Sequence, residues 1–223
     1  MRKGKKVALT GKKAVVTGGG TGIGLAIAKV LAMQGCHVAI TGRREELLNE
    51  ACKSFGGISV KMDVADEASV VTGMKHIADQ FGGIDICIAN AGIAEGQNIR
   101  NSSFEFWRKI MAINLDGAYL TIRESLHHMD MKDWGRIIAI SSIAGVRGLK
   151  GAHAYSASKH GVIGMIRSLS ADHAKFPVTF NAICPGYVDT DIIAKNIASI
   201  SERAQVTHDE AKAMMVNLSL IHI

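Results

Sequence analysis

The chain has 223 residues, 26 Lys and Arg against 20 Asp and Glu, a net charge of +6, 48% hydrophobic residues, 24 glycines and two prolines. That balance fits one folded α/β domain and excludes a disordered or low-complexity chain. No apolar run reaches the roughly 18 residues of a membrane-spanning helix, and the basic start lacks the apolar segment of a secretory signal. Arg2, Lys3, Lys5 and Lys6 read as a solvated N-terminal arm over residues 1–10, since no aromatic–basic interleaving follows to suggest nucleic acid. Cys36, Cys52, Cys87 and Cys184 are scattered, without C-x-x-C or His-ligand spacing. They read as reduced core or near-core thiols of a cytoplasmic protein, with no metal site.

Short apolar runs alternate with amphipathic stretches up to residue 184. Strands are predicted at 14–17, 37–41, 58–63, 85–90, 136–141 and 179–184, and helices at 22–34, 44–55, 66–81, 104–128 and 155–174. Gly35, Gly56-Gly57 and Gly82-Gly83 fall where helices should stop. The strands are almost wholly apolar, the pattern of a sheet covered on both faces. Such alternation predicts an α/β fold with a doubly wound parallel sheet.

The turn from the first strand into the first helix reads Thr17-Gly18-Gly19-Gly20-Thr21-Gly22-Ile23-Gly24. Glycines at 18, 22 and 24 let backbone approach a phosphate, and the helix start supplies amide donors. Strand two ends in Thr41-Gly42-Arg43-Arg44, where an NAD site would place an acidic residue against the ribose 2′-hydroxyl. Arg43 offers a planar fork suited to a 2′-phosphate, which favours NADP(H) and leaves NAD(H) as a second choice. Arg43 can also stack on adenine without discriminating, and Arg44 reads as a solvated cation. Asp63 can accept from an adenine amino group or serve as a turn or N-cap carboxylate. Asn90-Ala91-Gly92 ends strand four at the ligand-binding edge, with Asn90 equally suited to tying strands together.

Asn114 falls inside the helix predicted over 104–128, where a buried amide disfavours simple packing. It can kink the helix and hold a water that links Lys159 to solvent. His127-His128 point to different faces and read as a solvated helix end. Ser141-Ser142 end strand five, and Ser142, thirteen residues before Tyr155, can hold an oxygen that gains negative charge. His153 is either a pocket-lining or a loop residue. After strand six, Pro185-Gly186-Tyr187-Val188-Asp189-Thr190 is either a plain turn or a grip on a nicotinamide carboxamide, through Val188 backbone and the Thr190 hydroxyl.

Tyr155 and Lys159 stand four residues apart on one helix face. A phenol with an ordinary pKa near 10 is a poor base at neutrality. A neighbouring ammonium favours its phenolate, so Tyr155 can exchange a proton with a substrate hydroxyl or carbonyl.

Together these motifs resemble the short-chain dehydrogenase/reductase family in its single-domain Rossmann form. The resemblance rests on Thr17–Gly24, Asp63-Val64, Asn90-Ala91-Gly92, Asn114, Ser142, Tyr155, Lys159 and 185–190, in order from residue 11 to about 191. It implies a catalytic group of Asn114, Ser142, Tyr155 and Lys159, with Tyr155 as acid/base and Lys159 also holding the nicotinamide ribose. It further implies a homo-oligomer packed through the helices at 104–128 and 155–174. The stretch 181–193 is similar to bacterial 3-hydroxybutyrate dehydrogenases and 3-hydroxyacyl or 3-oxoacyl thioester enzymes. Hydroxybutyrate dehydrogenases seize a carboxylate with polar side chains where this chain has Ala94, Ala144 and Ala152. A thioester, a sterol or a sugar-derived ketone stays open.

Residues 1–223 are thus read as one dinucleotide-binding catalytic domain. The family's usual seventh strand is expected to be missing or degraded, and the tail at 217–223 to be atypical, as in a truncated chain. Two functions follow. One is an oxidoreductase moving a hydride between NADP(H) and a carbonyl or secondary alcohol. The other is a non-catalytic nucleotide-binding protein inactivated by its shortened end.

Overall fold

Strands built from residues such as Ala14, Val15 and Val16 offer water no polar face, so they must be covered on both sides. The computed structural model describes residues 9–186, 188, 197–198, 200–202 and 204–213. Six strands, β1 (Lys13–Thr17), β2 (His37–Gly42), β3 (Ile58–Lys61), β4 (Ile86–Ala89), β5 (Gly135–Ile140) and β6 (Val178–Ile183), form one parallel sheet in the order β3-β2-β1-β4-β5-β6. The helices are α1 (Gly22–Met33), α2 (Glu45–Lys53), α3 (Glu67–Phe81), α4 (Phe104–Met111), α5 (Gly117–His127) and α6 (His153–Asp172).

Alternate strand residues feed two cores. Val16, Val38, Ile40 and Ile88 pack with Ala28 of α1 and Leu48 and Ala51 of α2. Val15, Ala39, Cys87, Ile137 and Phe180 pack with Met74 of α3, Ile122 of α5 and Val162 and Ile166 of α6. Each fully buried aliphatic side chain contributes about 1.5–3 kcal/mol. The strand order reverses between β1 and β4, which opens a crevice at their carboxyl ends.

Three departures from the sequence expectation have local causes. Residues 104–128 do not form one helix: a π-helical turn at Ala112–Asp116 separates α4 from α5, so the expected kink at Asn114 is present as an extra residue in the spiral. β3 stops at Lys61, because β2 ends at its partner Gly42 and offers Met62 only one further bond, from its N–H to the Gly42 carbonyl. α6 begins two residues before Tyr155, which puts Tyr155 inside its first turn.

Cys36, Cys52 and Cys87 lie in the core, whereas Cys184 is exposed where β6 runs out, a correction to its reading as a near-core thiol. Among the described residues β6 pairs only with β5, Ile183 is 48% exposed, and an open groove lined by Ile163, Ile166 and Phe180 follows that edge. The tail at 217–223 and residues 1–8 of the basic arm lie outside the described residues.

Candidate functional site

The turn after β1 is shaped by what its glycines leave out. Gly18 and Gly22 have φ of +64° and +54°, conformations that side-chain-bearing residues rarely adopt. A Cβ on Gly18 would stand 3.0 Å from Cα of Ala91, and one on Gly24 would overlap the Gly18 carbonyl and lie 2.5 Å from Nδ2 of Asn90. Thr21, the N-cap of α1, makes no side-chain cap bond, and the first turn of α1 holds no acidic residue. Its backbone amides are therefore available to an anion, and the cradle fits a dinucleotide phosphate.

The crevice is held open by side chains spent on structure. Thr17 Oγ accepts hydrogen bonds from the N–H groups of Asn90 (3.0 Å) and Ala91 (3.1 Å). Asn90 Nδ2 donates to the carbonyls of Thr17 (2.8 Å) and Gly18 (3.3 Å), so of the two readings open for Asn90 its amide serves the tie between strands. Asp63 Oδ1 accepts from Ala65 N–H at 3.0 Å, a turn carboxylate; the N-cap of α3 is Asp66. Val64 is buried beside it, and Arg43 and Arg44 are exposed at the end of β2.

Gly24→Ala is expected to force the turn apart, because the clash is with backbone and with a side chain already committed to it. Overpacking of this kind costs about 1–3 kcal/mol, or ~2–4 °C of melting temperature per kcal/mol at this chain size. Calorimetry combined with cofactor titration checks it. An unchanged melting temperature with unchanged cofactor affinity would show that the loop yields.

On the other side of the crevice, the π-helical turn and α6 bring Asn114, Tyr155 and Lys159 together. Asn114 is buried, its Oδ1 accepting from Ile93 N–H (2.8 Å) and its Nδ2 donating to the Ile93 carbonyl (2.9 Å) and to Ser158 Oγ (3.2 Å). Ser158 Oγ in turn donates to the Tyr155 carbonyl at 2.7 Å. One lone pair of Asn114 Oδ1 remains. It borders Gly92, where a Cβ would stand 3.2 Å from it and 3.4 Å from Lys159 Nζ.

Lys159 is 5% exposed and donates from Nζ to the Ile140 carbonyl at 2.8 Å. Burial pushes its ammonium down to about 8, with the charge of Cys184 opposing the shift. Nζ lies 5.9 Å from the centroid of the Tyr155 ring, on the same face of α6. Ser142 Oγ accepts from Ala144 N–H at 3.1 Å, which leaves its own proton free to donate outward. Ser141 is turned inward and donates to the Lys159 carbonyl at 3.0 Å, which separates the two serines.

His153 packs against α4. Its ring stacks on Trp107 (8° between planes) and its Nε2 lies 3.2 Å from Ser102 Oγ, clamping the start of α6 to α4. His127 lies 3.3 Å from Glu124, and no metal-holding group of His, Cys, Asp and Glu occurs among the described residues. Pro185 and Gly186 continue from β6 and Val188 is exposed; Tyr187, Asp189 and Thr190 lie outside the described residues. Sequence reasoning missed Ser158 and the Ile140 carbonyl. Ser158 had a legible signal, standing three residues after Tyr155 on the same helix face.

The model of the short chain dehydrogenase family matches residues 12–200. This chain belongs to that family. It is an oxidoreductase of the class that moves a hydride between a nicotinamide cofactor and a carbonyl or alcohol carbon. A D-beta-hydroxybutyrate dehydrogenase of Cupriavidus necator is 36% identical over 213 residues, covering 93% of this chain and 83% of the relative. An NADP-dependent (R)-specific alcohol dehydrogenase of Lentilactobacillus kefiri is 38% identical over 192 residues, covering 83% and 76%. The crystal structure of a variant actinorhodin polyketide ketoreductase with NADPH superposes with a TM-score of 0.86 at 31% identity, covering 90% of this chain and 79% of that one. Among the described residues no helix is long and apolar enough to cross a membrane.

Proposed function

We propose that this dehydrogenase works as a carbonyl reductase that prefers NADP(H), with Tyr155 as general acid/base and Asn114, Ser142 and Lys159 completing the catalytic group. The observation that carries the reading is the buried Lys159 on the same face of α6 as a half-buried Tyr155. A dinucleotide held here would supply the hydride, and the chain's own residues handle the oxygen and its proton. Ser142 donates to the carbonyl oxygen as negative charge grows there. Tyr155 delivers the proton, and the Lys159 ammonium stabilises the phenolate left behind. Asn114 holds the two helices in register through Ser158. In the reverse direction the phenolate takes the alcohol proton.

The residues that would hold the dinucleotide are Thr17, Gly18, Thr21, Gly22, Ile23 and Gly24 at its phosphates, and Arg43, Asp63 and Val64 around its adenosine. Asn90, Ala91, Gly92, Pro185, Gly186, Val188 and Thr190 would line its nicotinamide half, together with Tyr155 and Lys159. Ala94, Ala144 and Ala152 offer no charge to a substrate carboxylate, which supports a ketone or thioester over a small 3-hydroxy acid. Packing of a second copy on 104–128 and 155–174 belongs to the same reading, supported on the first of these stretches by Phe104 at 76% and Tyr119 at 49% exposure.

Following nicotinamide absorbance with 3-oxoacyl thioesters, diketones, hydroxysteroids and 3-hydroxybutyrate tests the reading. Turnover of an uncharged ketone or a thioester with NADPH is expected. Cofactor binding with no turnover of any substrate would mark the chain as a nucleotide-binding protein without catalysis. Arg43→Ala should weaken NADPH by about ten- to a hundredfold, the worth of a charge-assisted contact of roughly 1.5–3 kcal/mol, and leave NADH nearly unchanged. Fluorescence titration with both cofactors measures it, and equal losses would reduce Arg43 to an adenine-stacking residue.

A further inference from the structure

We propose that Lys61, at the end of β3, is a further determinant of cofactor choice, supplying the charge that lets a 2′-phosphate sit beside two glutamates. The inference rests on the NADP(H) reading above. Lys61 is the register partner of Gly42, so it stands one strand over from the residue that precedes Arg43. Ser59 and Lys61 share one face of β3, and the Ser59 hydroxyl donates to Asn49 Oδ1 of α2 at 2.5 Å, which fixes that face as the α2 side. A Cβ on Gly42 would meet Leu48 of α2 at 3.5 Å, so Gly42 opens toward the same side.

The first turn of α2 carries Glu45 and Glu46. Those carboxylates suit the positive end of the helix, but they set a negative field against a phosphate arriving at Arg43. Arg43, Arg44 and Lys61 make no ion pair among the described residues, so none of the three charges is already consumed by a neighbour. Lys61 and Arg43 are both exposed, and the register of Lys61 beside Gly42 sets the two cations on neighbouring strand ends, from which both would act on a 2′-phosphate. Its contribution is electrostatic, acts through space and is sensitive to salt.

Binding of NADPH and NADH to wild type, Lys61→Glu and Lys61→Arg, titrated at low salt and at about 0.5 M NaCl, where screening is strong, tests this. Exposed charge interactions are modest, so Lys61→Glu should raise the NADPH dissociation constant about fivefold at low salt and the NADH value less than about twofold. Salt should narrow the gap, and Lys61→Arg should keep the wild-type ratio. A wild type that prefers NADPH, with a ratio unmoved by Lys61→Glu or with both cofactors weakened alike, overturns the role of Lys61 and leaves the NADP(H) reading standing. A wild type with no preference overturns that reading itself.

Discussion

Tyr155→Phe is expected to cut kcat by about 10²–10⁴-fold, the usual worth of a positioned proton donor, while cofactor affinity stays within a few-fold. The ring keeps its place in the first turn of α6 and only the exchangeable proton is lost. The hydroxyl of Ser142 and the buried ammonium of Lys159 would still polarise the carbonyl, so a small residual rate is expected. Steady-state kinetics with the best substrate of the panel, alongside cofactor titration, gives both quantities. A variant keeping more than about a tenth of the wild-type rate, a barrier change of only about 1.4 kcal/mol, would remove Tyr155 from the acid/base role.

Lys159→Met should remove most of the activity and yet make the protein more stable at pH 7. The ordinary lysine value of 10.5 is pushed down to about 8 by burial. Between those values the unfolded chain holds a proton that the folded chain has released, so stability rises with pH across that window. Below it both states are charged and the folded state bears the whole burial penalty; above it neither is charged and the penalty is gone. A displacement of that size corresponds to a cost on the order of 3 kcal/mol, from which the lost bond to Ile140 subtracts about 1 kcal/mol. The remaining ~2 kcal/mol predicts a melting temperature about 4–8 °C above wild type at pH 7, with the gap closing toward pH 10.5. Paired thermal melts at both pH values decide it. A variant that melts below wild type at pH 7 would mean that Lys159 stabilises the fold as a cation, contrary to the burial argument.

Features that depend on periodicity were open to sequence reasoning, and features that depend on backbone partners were not. Apolar strands alternating with helical stretches predicted a doubly wound sheet because two covered faces leave no room for polar positions. Asn114 announced a distorted helix because an amide at a buried position must find bonds that a regular helix does not offer. The Ile140 carbonyl under Lys159 left no such trace, since every residue has a carbonyl and only the sheet's register decides which one faces α6. Thr17 looked like part of a phosphate motif, whereas its hydroxyl is spent on the amides of Asn90 and Ala91 across the sheet. His153 was ambiguous for a similar reason: its stacking partner Trp107 lies on another helix, brought close only by tertiary packing.

The π turn at Ala112–Asp116 also acts as a phase shifter. Each residue of a regular helix advances the spiral by about 100°, so one surplus residue swings everything that follows by that angle without lengthening the axis in proportion. α4 can therefore aim Phe106 and Ile110 at α6 while α5 aims Ile122 at α3, two directions that an unbroken helix of this composition would not serve at once. Chain length between 112 and 116 is thereby constrained as tightly as residue identity. Loss of any one residue there would restore an ordinary spiral, a local gain in regularity, and would rotate Asn114 away from Ser158 or α5 away from α3. Substitutions in this stretch leave the phasing intact; a single deletion does not.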